Sequence, residues 1–98
     1  MADQVFMPTN ATRTINATVT PQRAVLPGVA RHARVYNAAP AIAFVRFGAN
    51  DMDATVATSM PLGPGSVEVF RVPATASYVS VVLLLGTGTV YVTPGEGS

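Results

Sequence analysis

The chain has no cysteine, no lysine and no tryptophan, a single histidine, and only 11% charged residues. Without cysteine there is no disulfide and no thiolate metal site, and the redox compartment is not legible. Without lysine all cations are arginine, spread from Arg13 to Arg71 with a formal net charge of +1. Nucleic-acid binders concentrate basic residues on one face; no such concentration is present, so no nucleic-acid partner is expected. An average domain is about 25% charged. So few charges leave a surface of Ala, Thr, Ser and Val, part of which is expected to be buried in an assembly. The longest apolar run, residues 78–85, is interrupted by Ser80 and is far short of the ~20 residues a helix needs to cross a bilayer. Met1-Ala2-Asp3-Gln4 carries neither the basic nor the apolar region of a signal peptide, so synthesis in the cytoplasm and no membrane partner are expected.

What is abundant points to strands. Fifteen valines and eleven threonines are punctuated by eight prolines and eight glycines over 98 residues. β-Branched residues favour the pleated sheet, and proline and glycine at that frequency break helices of useful length. Residues 1–12 lack periodicity and contain Pro8, predicting an extended N-terminal arm ahead of a single domain over 13–98. Residues 13–20 alternate, with Ile15, Ala17 and Val19 on one side, and predict a half-buried strand. A proline-bounded loop is expected over 21–28. Residues 33–37 and 41–47 predict a hairpin around Ala38-Ala39-Pro40, since Pro40 cannot donate to a ladder. In the second of these strands Ile42, Phe44 and Arg46 share one face and Ala43, Val45 and Phe47 the other.

Further along, 54–59 reads as a short strand after a polar turn, 60–65 as a loop and 67–72 as a strand. Residues 78–85, apolar on both faces, predict the most central strand. Gly86-Thr87-Gly88 predicts a tight turn with two residues able to take positive φ. Residues 89–93 should then return antiparallel, with a frayed tail over 94–98. About seven strands at this spacing predict an all-β fold, a small antiparallel β-sandwich or jelly roll.

Reactive constellations are thin. His32 would need a nucleophile and an orienting carboxylate to act catalytically, and the chain holds only three Asp and two Glu. His32 therefore reads as part of a solvated polar patch, and no catalytic residue and no enzyme activity are expected. Asn50, Asp51 and Asp53 could offer oxygen ligands, but a calcium loop starting at Asp51 needs Gly and Glu where Val56 and Leu62 stand. They read as a polar turn, and no metal or cofactor is expected. The glycines at 63–65 and 86–88 precede no helix and so cradle no phosphate. Glu68 and Arg71 fall on opposite faces of one strand and cannot pair along it. Asn10-Ala11-Thr12 and Asn16-Ala17-Thr18 match the glycosylation sequon, which has no bearing without a secretory signal.

Two stretches carry a resemblance. One is Arg34-Val35-Tyr36-Asn37, a short turn, then Ala43-Phe44-Val45-Arg46-Phe47-Gly48. The other runs from Met60-Pro61-Leu62-Gly63-Pro64-Gly65-Ser66-Val67-Glu68-Val69-Phe70 to Thr87-Gly88-Thr89-Val90-Tyr91-Val92-Thr93-Pro94-Gly95-Glu96-Gly97. Over about two thirds of the chain, they resemble small virion structural proteins of tailed bacteriophages, of the head decoration or cement kind. The resemblance implies a structural protein of the virion, made in the host cytoplasm. It implies a capsid or tail component present in many copies, and the weakly polar surface makes a decoration protein that binds and stabilises neighbouring capsid subunits the leading expectation. Strands with two apolar faces, such as 42–47, in a domain that can cover only one predict a homo-oligomer, with a trimer expected first. The alternative is a tail, neck or fibre-associated module contacting a host receptor or carbohydrate, although a supply of three Tyr, four Phe and no Trp is poor for stacking sugars. Whichever holds, the candidate interface is the apolar cluster Val5, Phe6 and Met7 of the arm, together with Ile42, Phe44 and Arg46.

Overall fold

Alternation between small or β-branched residues and polar ones is clearest over Arg13–Ala17 and His32–Asn37, while Tyr78–Leu83 is buried on both faces. The structure, a computed structural model, describes residues 7–8, 12–26, 32–48, 53–56, 59–73 and 76–96, with only the backbone of Met7 and Pro8, and every structural statement concerns these residues. Nine strands follow one another: β1 (Met7–Pro8), β2 (Arg13–Ala17), β3 (Gln22–Val25), β4 (His32–Asn37), β5 (Ala43–Gly48), β6 (Met60–Leu62), β7 (Val67–Arg71), β8 (Tyr78–Leu83) and β9 (Gly88–Glu96). No helix occurs among the described residues. In β4, Ala33, Val35 and Asn37 are buried while Arg34 and Tyr36 are exposed, the period of two that a sheet with one wet face imposes.

Two antiparallel sheets face one another. Sheet A has the order β1-β9-β4-β7, with β2 also on the β9 flank, and sheet B the order β3-β8-β5-β6. The pairings nest: β2 with β9, β3 with β8, β4 with β7 and β5 with β6. The chain is thus one long antiparallel hairpin with its tip between β5 and β6. Rolling it up adds the β4–β9 and β5–β8 pairings. This is the eight-stranded jelly roll, preceded by the two-residue β1. The expected fold class holds, with more strands than expected.

The core lies between the sheets. Ile15, Val35, Val90 and Val92 of sheet A pack against Val45, Val79, Val81 and Leu83 of sheet B, all nearly or fully buried. Each such side chain contributes about 1.5–3 kcal/mol by leaving water. As the sequence predicts, the 78–85 segment supplies a central strand, flanked by β3 and β5. It ends at Leu83, and Leu84 and Leu85 are exposed.

Several local expectations are corrected. The turn at 38–40 closes no hairpin, because β4 belongs to sheet A and β5 to sheet B. Likewise 86–88 carries the chain from sheet B to sheet A, and only Gly86 takes a positive φ. Gly88 answers a different need: a Cβ there would lie 2.6 Å from Ala39 Cα and closer still to its Cβ. The two crossovers touch at that point, and Ala38 N–H donates to Thr89 O at 3.0 Å. The loop expected over 21–28 contains the edge strand β3, and the loop expected over 60–65 begins with β6, whose Pro61 is tolerated because β6 is an edge. Around Ala54 there is no strand. Val19, expected inside, is 60% exposed because β2 ends at Ala17.

The expected frayed tail is in part ladder. β9 continues through Pro94 and Gly95, both buried, to Glu96. Pro94 falls opposite the break between β2, whose pairing stops at Val92, and β1, which starts at Gly95. Such a break is where a strand flanked on both sides can spare a ladder donor. Gly97 and Ser98 lie outside the described residues. Of the expected arm, Met7 and Pro8 pair as an edge strand with Glu96 and Gly95.

One buried polar side chain fastens the roll. Asn37 is 0% exposed. Its Nδ2 donates to Ala41 O and to Leu62 O, each at 2.9 Å, and its Oδ1 accepts from Ala39 N at 3.0 Å. A single amide thereby ties the β4–β5 crossover to the end of β6.

Candidate interaction surfaces

The outer face of sheet B is covered in part by the chain itself. Phe44 pairs with Val82, and Arg46 with Ser80, on the side of β5 and β8 that points away from the core. Yet Ser80 and Val82 are buried. The segment 53–56 packs over Ser80 on this face: Ala54 is 1% exposed and its N–H donates to Ser80 Oγ at 2.8 Å. Asp53 Oδ1 lies 3.2 Å from Arg23 Nε on β3. The second apolar face that suggested a partner for Ile42, Phe44 and Arg46 is therefore shielded in part by the chain's own segment, and all three are half-buried. The Arg23 pair also occupies Asp53, the one described member of the Asn50–Asp51–Asp53 group. No cluster of three or more His, Cys, Asp or Glu occurs among the described residues.

The outer face of sheet A is bare. Tyr36 of β4 and Tyr91 of β9 are directly opposite in register, and their rings stack with centroids 6.0 Å apart and planes 12° from parallel. Beside them stand Val67, across from Tyr36 on β7, and Arg34, across from Thr93. Thr12 Oγ1 and Thr93 Oγ1 are hydrogen-bonded at 2.7 Å. These six residues line a shallow depression of ≈ 520 Å³. Tyr36, Tyr91 and Val67 remain 37–40% exposed. Cross-strand aromatic pairs are worth about 0.5–1.5 kcal/mol, so the stack holds the rings in place with their outer edges free.

A second groove, of ≈ 430 Å³, opens where β5 and β6 of sheet B meet the end of β7 in sheet A; its lining includes Arg46, Arg71, Phe47, Phe70, Ser59 and Met60. Phe47 and Phe70 reach across from opposite sheets, centroids 5.7 Å apart and tilted by 54°. At one end of the sandwich Val19, Leu84 and Leu85 form an exposed apolar tip, where Leu83 N–H donates to Thr18 O.

Of the residues expected at an interface, Val5 and Phe6 lie outside the described residues, and Met7 is described by its backbone alone. β1 borders sheet A while Phe44 and Arg46 sit on sheet B, so the structure does not gather the expected residues on one surface. Glu68 and Arg71 do face opposite ways, Glu68 with Val35 and Arg71 with His32, and both are exposed. His32 is half-buried at the start of β4. The residues that sequence reasoning missed are Tyr36, Tyr91, Arg34 and Val67. Alternation already placed Tyr36 opposite Val35 and Tyr91 opposite Val92, but no local pattern pairs strands more than fifty residues apart. No protein-family model matches the chain, and no curated protein or solved structure matches it significantly.

Proposed function

We propose that this chain is a non-enzymatic structural protein of a bacteriophage particle. In this reading it is a capsid decoration or cement protein that binds and stabilises neighbouring shell subunits, and the outer face of sheet A is its docking face. The observation that carries the reading is the asymmetry of the sandwich. Sheet B is shielded in part, over Ser80, by residues 53–56, whereas sheet A presents the stacked Tyr36 and Tyr91 with Arg34 and Val67 in an open depression. Tyrosine and arginine are the residue types that dominate binding energy at protein interfaces. A standard interface removes about 800 Å² from each partner, roughly a seventh of the 5490 Å² the chain exposes. One face of a four-strand-wide sheet is of that order. The jelly roll recurs in viral shells, a fold-level analogy that agrees with the resemblance of residues 34–97 without deciding it. Assembly as a homo-oligomer, a trimer first, belongs to the same proposal. Purification of particles from a host carrying the gene tests it: the chain should be present at high copy number, and its consistent absence would reject the reading.

The tail, neck or fibre module remains the second reading, favoured by one observation. The stacked Tyr36 and Tyr91 stand in an open depression beside two threonine hydroxyls and a guanidinium, a set that suits a sugar ring better than the overall aromatic content suggested. Glycan-array binding lost on Tyr91→Ser would favour this reading over shell decoration.

A further inference from the structure

We infer that the partner met by the outer face of sheet A is an acidic protein surface, selected by Arg34 and Arg71. The inference rests on the proposed reading of that face as the docking face and adds the chemistry of what docks there. Residues directly opposite in an antiparallel ladder share a face. Arg34 is opposite Val69 and Thr93, and Arg71 is opposite His32. Tyr36, two residues on from Arg34, belongs to the exposed ring stack. Arg34 and Arg71 therefore stand together on the outer face, on adjacent strands and diagonal to one another, and both are exposed. Such diagonal neighbours lie about 7–8 Å apart, within reach of long side chains.

The carboxylates are elsewhere. Three are among the described residues. Asp53 lies against Arg23 of sheet B. Glu68 is opposite the buried Val35, and Glu96 is two residues on from the buried Pro94, so both fall on the inward side of their strands. The one ion pair among the described residues is Arg23 with Asp53. The outer face of sheet A thus pairs two guanidinium groups with aromatic rings and the hydroxyls of Thr12 and Thr93, and no described carboxylate offsets them. A face of that kind is complementary to carboxylates set among apolar groups. Guanidinium matches carboxylate geometry bidentately, which supplies orientation as well as attraction. Two arginines are few for a nucleic-acid backbone, whose affinity comes from many phosphate contacts. The edges favour a partner met face on. Glu68 is an inward-pointing charge on the free edge β7, and Pro61 interrupts the free edge β6; both features discourage addition of a strand.

The probe is a short peptide alternating glutamate and alanine, titrated into the full chain and followed by nitrogen–proton NMR correlation spectra. Its glutamine-for-glutamate twin and an oligothymidylate serve as comparisons. The acidic peptide should give saturable shifts centred on Arg34, Tyr36, Arg71 and Tyr91, and its affinity should fall as salt rises. Arg34→Gln with Arg71→Gln should weaken binding roughly five-fold or more. Arg46→Gln, on the outer face of sheet B, should leave it unchanged. Dispersion of the spectra checks folding of each variant. No saturable binding, shifts centred elsewhere, equal binding of the glutamine twin, tighter binding of the oligonucleotide, or an unaltered affinity of the double variant would each overturn the inference. A chain found in particles but indifferent to the acidic peptide would sink this inference alone. A chain that binds the peptide as expected but is absent from particles would sink the particle reading alone.

Discussion

Replacing Asn37 tests the architecture at its most concentrated point. Asn37→Leu keeps the approximate volume but leaves Ala41 O, Leu62 O and Ala39 N–H without their side-chain partners, all in buried residues. Each buried polar group left unpaired costs about 1–3 kcal/mol. Allowing for partial relaxation, the expected loss is about 3–5 kcal/mol, against a total of about 5–15 kcal/mol for a domain of this size. At the lower figure the thermal midpoint should fall by about 12–24 °C. Asn37→Asp makes a sharper test, because it keeps the acceptor for Ala39 N–H but turns an oxygen toward the two carbonyls in place of the donor.

An ionised carboxylate there is repelled by those oxygens and desolvated, which raises its folded-state pKa above the unfolded value of about 3.9. The folded state then binds a proton that the unfolded state has released. Stability is fully present below about pH 3.9 and is lost as pH rises through the raised folded pKa, by up to about 1.4 kcal/mol per pH unit. Urea unfolding followed by far-UV circular dichroism at pH 4 and pH 7 reads both effects. An Asn37→Leu midpoint equivalent to a loss below about 0.5 kcal/mol would refute the reasoning. So would an Asn37→Asp variant that is more stable at pH 7 than at pH 4 by the same measure.

Adjacent leucines should behave oppositely: Leu83→Ala costs about 2–5 kcal/mol in denaturant unfolding, while Leu85→Ala, on an exposed tip, stays within about 0.5 kcal/mol. Gly88→Ala should cost about 1–3 kcal/mol, because the new methyl meets the backbone of Ala39; an unchanged midpoint would mean that the two crossovers do not touch. Ser80→Ala leaves the Ala54 N–H without its acceptor and should cost about 1–3 kcal/mol. Hydrogen exchange at Ala54 should accelerate with it, whereas Arg23→Ala, breaking a half-exposed pair, costs under about 1 kcal/mol.

Much of the fold was legible because alternation and β-branched content are local. The strands around Val35, Val45, Val69, Val81 and Val92 fall where the periodicity of two places them. Sheet membership was not legible. The turns at 38–40 and 86–88 have hairpin chemistry, but in a jelly roll nearly every connection crosses between sheets, and that is decided by pairings such as Tyr36 with Tyr91 across the whole chain. The burial of Ser80 shows the same limit in a single residue. It interrupts an apolar run as a surface serine would, yet it is buried because Ala54 arrives from a distant loop to use its hydroxyl. The candidate site was legible only as separate outward positions. Stacking and the open face around it are products of the roll.

The central claim is that the outer face of sheet A docks onto a particle, and the copy number of the chain in purified particles tests it most directly. Particles are assembled with the parent or with Tyr36→Ser and Tyr91→Ser together, two exposed positions whose loss removes only the ring pair, about 0.5–1.5 kcal/mol of stability. Quantitative mass spectrometry should find the parent at high copy number and the folded double variant reduced roughly ten-fold or more. A parent chain absent from particles, or a variant retained at the parent's copy number, would contradict the account.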